Sequence, residues 1–293
     1  MKHIEIEFIN DSVDNAFNVE QMRCHYFPRP LHMHTESELT YIKEGTGLCF
    51  AGDGITLMQP KHLYFFSSNL SHYFQSDKKY YIENCDEFCH SIYIQFKNNI
   101  LPRDFETMPG CSYIQRLLTL GNYGLEWDIS QNEELCNDLE KMLEISGFER
   151  LQKLYWILDK LGQISDRAMT ISSDDYATNL QSDDQIYNKI IEYISLHFQE
   201  DVTLDEIAEF VGMNSSALCR YFKRKTECSV FEYLLRFRIK YTKKQLLYTD
   251  LPVSHIAYDS GFNNLAGFNL QFKRQTGYTP TQYRKMFKNQ SPV

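Results

Sequence analysis

The chain has 293 residues and a formal net charge of -9, and 43% of its residues are hydrophobic. This length allows two domains of ordinary size, and the apolar fraction excludes a disordered or low-complexity chain. No apolar run approaches the ~20 residues that cross a bilayer, and the first residues are too polar and acidic for a signal peptide. We therefore expect a cytoplasmic protein with no membrane partner. The eight cysteines include no CxxC pair, which favours reduced thiols over a disulfide framework.

Charge is divided unevenly along the chain. Residues 1–184 contain 15 Lys and Arg against 29 Asp and Glu, a net charge of -14, whereas residues 185–293 contain 15 against 10, a net charge of +5. This asymmetry suggests that the C-terminal part meets a polyanion and that the N-terminal part has another task. A net charge of +5 is also unremarkable for a domain of this size, so the charge alone does not decide between the two interpretations.

The N-terminal part has the pattern of a β-rich domain. From about 4 to 100, short segments rich in Tyr, Phe, Ile and Thr alternate with turn signals such as Gly52-Asp53-Gly54. Many short strands at regular intervals are typical of a β-sandwich or a small barrel. The aromatic residues of this part permit stacking on a sugar or an aromatic ligand, although at alternate strand positions they are more often plain core.

After about residue 112 the apolar spacing becomes helical. One apolar stripe contains Leu154, Ile157, Leu158 and Leu161. These helices either close over the barrel or pack against a second copy of the chain. The stretch 166–184 is polar and lacks periodicity, so we place a linker there, between a domain at 1–165 and a domain at 185–293.

The segment from 185 onward has helical patterns only, and it repeats itself. Ile207-Ala208 and Ile256-Ala257 lie 49 residues apart, as do Gly212 and Gly261. Phe222-Lys223-Arg224 and Phe272-Lys273-Arg274 lie 50 residues apart. In each copy, Ile-Ala suits a first helix that a second can approach closely, Gly suits a sharp turn, and Phe suits the core anchor of the second helix. The spacing predicts two helix-turn-helix units, and the alternative is a pair of αα-hairpins in an ordinary bundle.

Residues 186–286 resemble the DNA-binding domain of the AraC/XylS family of bacterial transcription regulators. The matching positions are Leu204, Ile207, Ala208, Gly212, Leu218, Arg220, Phe222, Lys223, Arg238, Leu246, Leu247, Ile256, Ala257, Gly261, Phe262, Phe268, Phe272, Lys273, Gly277, Pro280, Tyr283 and Arg284. The resemblance implies two helix-turn-helix units joined by a long helix over about 229–248. It also implies that their recognition helices enter successive major grooves, about 34 Å apart, on one face of the DNA.

Carried over by position, the recognition helices span about 215–225 and 264–275. Groove-facing candidates on the first are Ser215, Ser216, Cys219 and Arg220. Groove-facing candidates on the second are Asn264, Leu265, Ala266, Gly267, Asn269 and Leu270. We expect phosphate contacts from Lys223, Lys273 and Arg274.

The sequence departs from the family pattern at four positions. Leu270 stands where a polar or basic residue is common, and Gly267 where a larger side chain is common. The second helix is therefore expected to use Asn269, apolar contact with thymine methyl groups, and DNA shape. Glu227 replaces a usual Gly, so the first recognition helix is expected to end differently, and Thr242 replaces a usual Ala on the long helix.

A second set of polar residues lies in the N-terminal part. His32, His34 and Glu38 have the spacing H-x-H-x3-E, which is similar to the first cupin motif, although Tyr26 stands where that motif begins with Gly. His72 resembles the histidine of the second cupin motif. On one strand, residues 32, 34, 36 and 38 point to the same face, so both imidazoles and Glu38 can face the interior of a barrel together.

Three interpretations of these four side chains stay open. They form a pocket for a small effector, they bind a divalent transition metal as in a metal-dependent cupin enzyme, or they are structural. The family resemblance favours the effector pocket, with a carbohydrate as one candidate effector, and we expect no cofactor and no metal.

The sequence thus predicts an α+β multidomain chain with an N-terminal cupin-like β-barrel plus helices and a C-terminal all-α domain. Its predicted function is sequence-specific regulation of transcription, and it is not predicted to be an enzyme. The expected partners are double-stranded DNA, the effector, a second copy of the chain in a homodimer, and RNA polymerase. The sequence does not reveal the effector, the operator, or whether transcription rises or falls.

Overall fold

The computed structural model describes residues 5–6, 17–82, 86–97, 100–101, 105, 108–174, 176–177 and 185–287. The chain divides into two compact units, one comprising 1–52 with 56–182 and the other comprising 53–55 with 183–293. The first, the sheet unit, is built on two β-sheets, and the second, the helical unit, is built on α-helices from 185 onward. The predicted α+β organisation, with strands first and helices last, is confirmed.

Two sheets form the sheet unit. The five-stranded sheet has the order β1 (Glu5–Ile6), β3 (His32–Met33), β8 (His72–Ser76), β5 (Gly47–Ala51) and β6 (Gly54–Met58). The six-stranded sheet has the order β11 (Met169–Thr170), β10 (Leu125–Asp128), β7 (His62–Phe66), β4 (Ser37–Glu44), β9 (Cys89–Phe96) and β2 (Asn18–Cys24). Strand β1 runs parallel to β3, and β4 runs antiparallel to both of its neighbours.

The two sheets face each other, because side chains of a strand point alternately to its two faces. Phe66 of β7 stacks on His72 of β8, with ring centroids 4.2 Å apart. On β4, Glu38 is directed toward the five-stranded sheet, whereas Leu39 and Tyr41 are buried in the hydrophobic core on the opposite face. One face of β4 therefore carries polar chemistry and the other carries core packing.

Three helices cover that opposite face of the six-stranded sheet: α1 (Ser112–Leu120), α2 (Glu133–Lys141) and α3 (Gly147–Gln163). The predicted stripe of Leu154, Ile157, Leu158 and Leu161 lies on α3 and is wholly buried in this core. Of the two alternatives, the structure shows the first: the helix closes over its own sheet. The stripe is therefore not available to a second copy of the chain.

The first part of the predicted linker at 166–184 contains sheet structure. Met169 and Thr170 form β11, which pairs with β10, and the buried Tyr176 has its hydroxyl 3.1 Å from the Ser71 hydroxyl. A two-residue edge strand is too short to show a period, which is why the polar composition of 166–184 concealed it.

The helical unit contains α4 (Gln185–His197), α5 (Leu204–Phe210), α6 (Ser215–Thr226), α7 (Val230–Tyr248), α8 (Val253–Asp259), α9 (Leu265–Thr276) and α10 (Pro280–Phe287). Helix α7 corresponds to the expected long helix at 229–248. Among the described helices, none combines the length and apolar character needed to cross a membrane.

Candidate nucleic-acid interface and buried histidine cluster

His32, His34, Glu38 and His72, the histidine cluster, converge between the two sheets. One ligand atom from each of the four lies within 4.8 Å of the others. The sequence placed residues 32–38 on one strand, and this was wrong: β3 ends at Met33 and β4 begins at Ser37. The side chains meet because His32 pairs with His72 across β3 and β8 while Glu38 reaches them from the opposite sheet.

Backbone carbonyls orient all three imidazole rings. Nδ1 lies 2.9 Å from the Pro30 carbonyl in His32 and 2.8 Å from the Leu70 carbonyl in His72. In His34 it lies 2.9 Å from the Glu36 carbonyl. Because a carbonyl oxygen only accepts, each Nδ1 carries the hydrogen, and each Nε2 is directed toward the cluster.

The Glu38 carboxylate is held from several sides. It accepts hydrogen bonds from the Thr40 hydroxyl at 2.5 Å and from the Gln95 amide nitrogen at 2.8 Å. The Nε2 atom of His34 lies 3.0 Å from one carboxylate oxygen, and Nε2 of His72 lies 3.6 Å from the other. Sequence reasoning missed Thr40 and Gln95: Thr40 follows Glu38 by two positions on β4, but Gln95 is recognisable only from the pairing of β4 with β9.

Burial and mutual charge set the protonation of the cluster. Burial, and then the neighbouring His72, lower the pKa of His32 to about 3, so this ring is neutral. Burial lowers the pKa of His34, but its hydrogen bond with Glu38 outweighs this and leaves the pKa raised. Burial alone would raise the pKa of Glu38, yet His72 and His34 hold it well below its usual range, so the carboxyl is ionised.

The C-terminal candidate site consists of two helix pairs, α5 with α6 and α8 with α9. The repeated Ile-Ala dipeptides are buried in both first helices. Between the helices, Gly212 and Gly261 adopt φ values of +71° and +81°, in the left-handed region that favours glycine. A Cβ on Gly261 would lie 2.5 Å from the Phe198 carbonyl oxygen, whereas a Cβ on Gly212 would meet nothing within 4 Å.

The second helices of the two pairs begin and end in the same way. The Asn214 side chain accepts from the Ala217 N–H at 2.9 Å, and the Asn264 side chain accepts from the Gly267 N–H at 2.7 Å. Leu218 and Phe222 in α6 correspond to Phe268 and Phe272 in α9, and all four side chains are fully buried. The repeat seen in the sequence is thus a repeat of structure.

The C-terminal ends also match, in spite of the departure at Glu227. Glu227 has a φ of 60° and Gly277 a φ of 80°, and both are left-handed caps. Their N–H groups bond the carbonyls of Lys223 and Lys273 at 2.9 and 2.8 Å. The expectation that the first recognition helix ends differently was wrong, because Glu227 accepts the strained conformation that glycine adopts freely.

Comparisons with known proteins agree with this geometry. Residues 207–286 match a family described as a helix-turn-helix domain. An uncharacterized HTH-type transcriptional regulator of Staphylococcus aureus (strain COL) is 38% identical over 106 residues, which cover 36% of this chain and 14% of that protein. The uncharacterized HTH-type transcriptional regulator YdeC of Bacillus subtilis (strain 168) is 22% identical over 261 residues, which cover 88% of this chain and 86% of that protein.

Among solved structures, the C-terminal domain of AraT, a response regulator from Geobacillus stearothermophilus, is 32% identical. The match covers 34% of this chain and 84% of that chain, with a TM-score of 0.34. The chain spans only 14% of the length of the first Staphylococcus aureus relative.

The matched segment begins in α5, ends in α10 and therefore includes both helix pairs. Residues 207–286 form an AraC-type helix-turn-helix domain. The family resemblance is confirmed for this part of the chain.

In the AraC-type domain, α6 presents a polar and basic outer face. Ser216, Cys219, Arg220 and Lys223 are exposed. Ser215 differs from the other candidates, because it is half-buried and its hydroxyl donates to the Asp205 carboxylate of α5. Its hydrogen bond joins the two helices of the pair.

Helix α9 of the AraC-type domain presents a less polar outer face. Ala266, Asn269 and Leu270 are exposed, Leu270 to 68%, and so are Lys273 and Arg274. The other three candidates on this helix are differently placed. Leu265 packs against the domain core, Gly267 is half-buried, and the Asn264 side chain is engaged as the cap.

Three side chains of the AraC-type domain bond to groups inside the helical unit: Thr242, and the two arginines that match the family pattern, Arg238 and Arg284. Arg238 donates to the carbonyls of Phe198 and Glu200, just beyond the end of α4. Arg284 donates to the carbonyls of Leu246 and Leu251, around the end of α7. Thr242 donates to the Arg238 carbonyl at 2.8 Å and lies 2.9 Å from the Ser260 hydroxyl, so its extra polar group is satisfied.

Proposed function

We propose that the chain is a transcription regulator whose AraC-type domain binds double-stranded DNA through α6 and α9. One observation carries the proposal: two helices with the same anchors and caps each end in two exposed basic side chains. These are Lys223 and Arg224 on α6, and Lys273 and Arg274 on α9. Basic groups at equivalent positions suit phosphate contacts, which place a protein on the duplex without reading sequence. The net charge of +5 in residues 185–293 supports this.

The two helices offer different chemistry to the bases. On α6, Arg220 can bond guanine O6 and N7 together, with Ser216 and Cys219 beside it. On α9, Asn269 can bond adenine N6 and N7, while Ala266 and Leu270 suit contact with thymine methyl groups. We expect the α6 contact to favour G·C pairs and the α9 contact to favour A·T pairs.

DNA binding is tested by sequencing the genomic fragments that the purified full-length protein retains, then titrating the best-retained site. Arg220→Ala should weaken specific binding by about 1–3 kcal/mol, or roughly 5- to 150-fold, and relax the preference at one base. Arg167→Ala removes an exposed arginine of the sheet unit and is the matched control. If no fragment is retained, DNA binding is refuted; if only Arg220→Ala behaves like the control, the Arg220 assignment is wrong.

We assign the sensing of a small ligand to the sheet unit, with the histidine cluster as its contact set. The support is the concentration of polar groups in a buried position between two sheets. A ligand regulates only through its different affinity for the DNA-bound and free arrangements, so its effect and that of DNA are reciprocal. Binding heats measured with sugars test the carbohydrate expectation, and a screen in which only another class binds would contradict it.

The remaining parts of the proposal concern assembly and location. A homodimer would offer four helix-turn-helix units and increase affinity through effective concentration. Because the α3 stripe is used within the chain, the dimer would require another face, and sedimentation of the full-length protein tests it. Location in the cytoplasm and contact with RNA polymerase follow from a role in transcription, and no catalytic role is proposed.

A further inference from the structure

We infer that the α4–α5 loop, residues 198–203, positions the second helix pair and so sets the spacing between the two groups of bases that α6 and α9 contact. The loop acts through Gln199 and Asp201, which are positioning residues because neither lies on a recognition helix. The loop also precedes the segment 207–286 that matches the family. The spacing role rests on the proposed function, since it requires that both helices enter a groove.

Helix α4 packs on the first helix pair. The ring of Tyr187 in α4 stacks on that of Phe222 in α6, with centroids 6.3 Å apart. The ring of Tyr193, also in α4, lies 5.3 Å from that of Phe210 in α5. Aromatic contacts thus join α4 to both helices of the first pair, and the loop that follows α4 is anchored to that pair.

The loop reaches the second helix pair at the turn between α8 and α9. The side-chain amide of Gln199 donates to the carbonyl of Asp259, the last residue of α8, at 2.6 Å. The carboxylate of Asp201 accepts from the side-chain amide of Asn263 at 2.8 Å, and Asn263 directly precedes the α9 cap, Asn264. The two hydrogen bonds therefore hold both ends of the turn that leads into α9.

The loop backbone lies directly against the same turn. A Cβ on Gly261 would lie 2.5 Å from the Phe198 carbonyl oxygen, so glycine permits this close approach. The same carbonyl accepts from Nε of Arg238 at 2.7 Å. The Phe198 ring is buried beside Phe237 and Tyr241 of α7, with centroids 5.2 and 5.0 Å away. The loop is thus fixed on α7 on one side and touches the α8–α9 turn on the other.

The long helix α7 alone would constrain the turn less. It meets the second pair through an apolar core, in which Ile239 and Leu246 of α7 pack with Phe268 and Phe272 of α9. Apolar packing is non-directional, whereas hydrogen bonds have preferred directions. The loop therefore adds the directed contacts that fix where α9 begins, and with it the direction in which Asn269 points.

One residue of the loop separates hydrogen bonding from charge. Asp201→Ala and Asp201→Asn both remove the negative charge, but only Asp201→Asn keeps an oxygen that can accept from Asn263. Gln199→Ala combined with Asp201→Ala, the double variant, removes both bonds to the turn. Gln199 and Asp201 are exposed, so we expect these variants to fold, and near-UV circular dichroism checks this. If the double variant does not fold, Asp201→Ala takes its place.

Hydrogen exchange of the full-length protein tests the positioning without DNA. The backbone amides of Gly261, Phe262 and Phe268 are hydrogen-bonded within the turn and the start of α9. In the double variant they should exchange about 2- to 10-fold faster than in the wild type, while amides of α6 stay unchanged. Asp201→Asn should behave like Gln199 and Asp201 intact. If the double variant exchanges at the wild-type rate, the loop does not hold the turn and the inference is overturned.

A change in DNA spacing tests the functional role. One base pair is inserted into the best-retained site, between the bases that Arg220→Ala and Asn269→Ala identify, which displaces the second group by about 3.4 Å and about 35°. The wild type should bind this longer site about tenfold more weakly or worse. In the double variant the ratio of the two affinities should fall roughly threefold or more, and in Asp201→Asn it should be kept. If the double variant loses the same factor on both sites, it has lost stability alone and the spacing role is overturned.

The two measurements distinguish failure of the inference from failure of the proposed function. If the wild type retains no DNA, the proposed function falls and the spacing role falls with it, whereas hydrogen exchange still decides whether the loop holds the turn. If DNA is retained and the ratio of affinities is the same in every variant, the proposed function stands and the spacing role is overturned.

Discussion

The two recognition helices end in the same left-handed cap, but one cap is Glu227 and the other is Gly277. Their φ values are 60° and 80°, and a Cβ at Gly277 would meet nothing within 4 Å. A side chain added at Gly277 therefore costs free energy through the left-handed backbone conformation and not through a steric clash. We expect Glu227→Gly to stabilise the helical unit and Gly277→Glu to destabilise it.

The magnitude follows from opposing terms. The left-handed conformation costs a residue with a Cβ about 1–2 kcal/mol. Glycine offsets about 0.4–1 kcal/mol of the stability gained by relieving this cost, because it increases the conformational entropy of the unfolded chain. Removing a carboxylate from a helix C-terminus adds about 0.3–1 kcal/mol of stabilisation. The sum is about 1.5 kcal/mol for Glu227→Gly, and Gly277→Glu should lose a similar amount.

Hydrogen exchange of the full-length protein, followed by mass spectrometry, measures this locally. A change of about 1.5 kcal/mol alters the opening equilibrium roughly tenfold, so amides of α6 should exchange about ten times more slowly in Glu227→Gly. Glu227→Gln is the matched control, because it removes the charge and keeps the strained backbone. If Glu227→Gly protects α6 no better than Glu227→Gln, the reasoning from backbone conformation is refuted.

Three further predictions concern the same domain. Gly261→Ala should lower the free energy of unfolding by at least 1 kcal/mol more than Gly212→Ala, since only the first places a Cβ 2.5 Å from a backbone oxygen; equal losses in urea unfolding would contradict this. Phe272→Ala should cost about 3–5 kcal/mol because the ring is fully buried, and a loss below 1 kcal/mol by the same measurement would show that the α9 anchor is misassigned. Lys273→Ala should reduce the slope of log affinity against log salt by ~0.9, whereas Lys160→Ala, in the sheet unit, should leave it unchanged; equal slopes in both variants would place Lys273 away from phosphate.

Local patterns in the sequence were sufficient for much of the helical unit. Paired dipeptides, glycines and phenylalanines predicted two helix-turn-helix units, since each of these residues acts through its own turn or its own helix face. The structure also contains a capping box at the start of α5, formed by Thr203 and Glu206, which is a local pattern of the same kind. The direction of individual side chains on a helix was less certain. Leu265 packs inward and Asn264 acts as the cap, because tertiary packing decides which side chains of the first turn face outward.

The histidine cluster shows where local pattern stops being informative. The spacing of His32, His34 and Glu38 indicated a polar site, but it placed them on one strand, and the chain turns between β3 and β4 instead. Residue types and short spacings are properties of the chain itself, so the sequence by itself determined the helical repeat, its anchors and the polar character of the N-terminal site. Strand register and the meeting of two sheets depend on residues far apart in the chain. Only the tertiary structure could therefore bring His72 and Gln95 to Glu38 and turn three ring nitrogens toward one point.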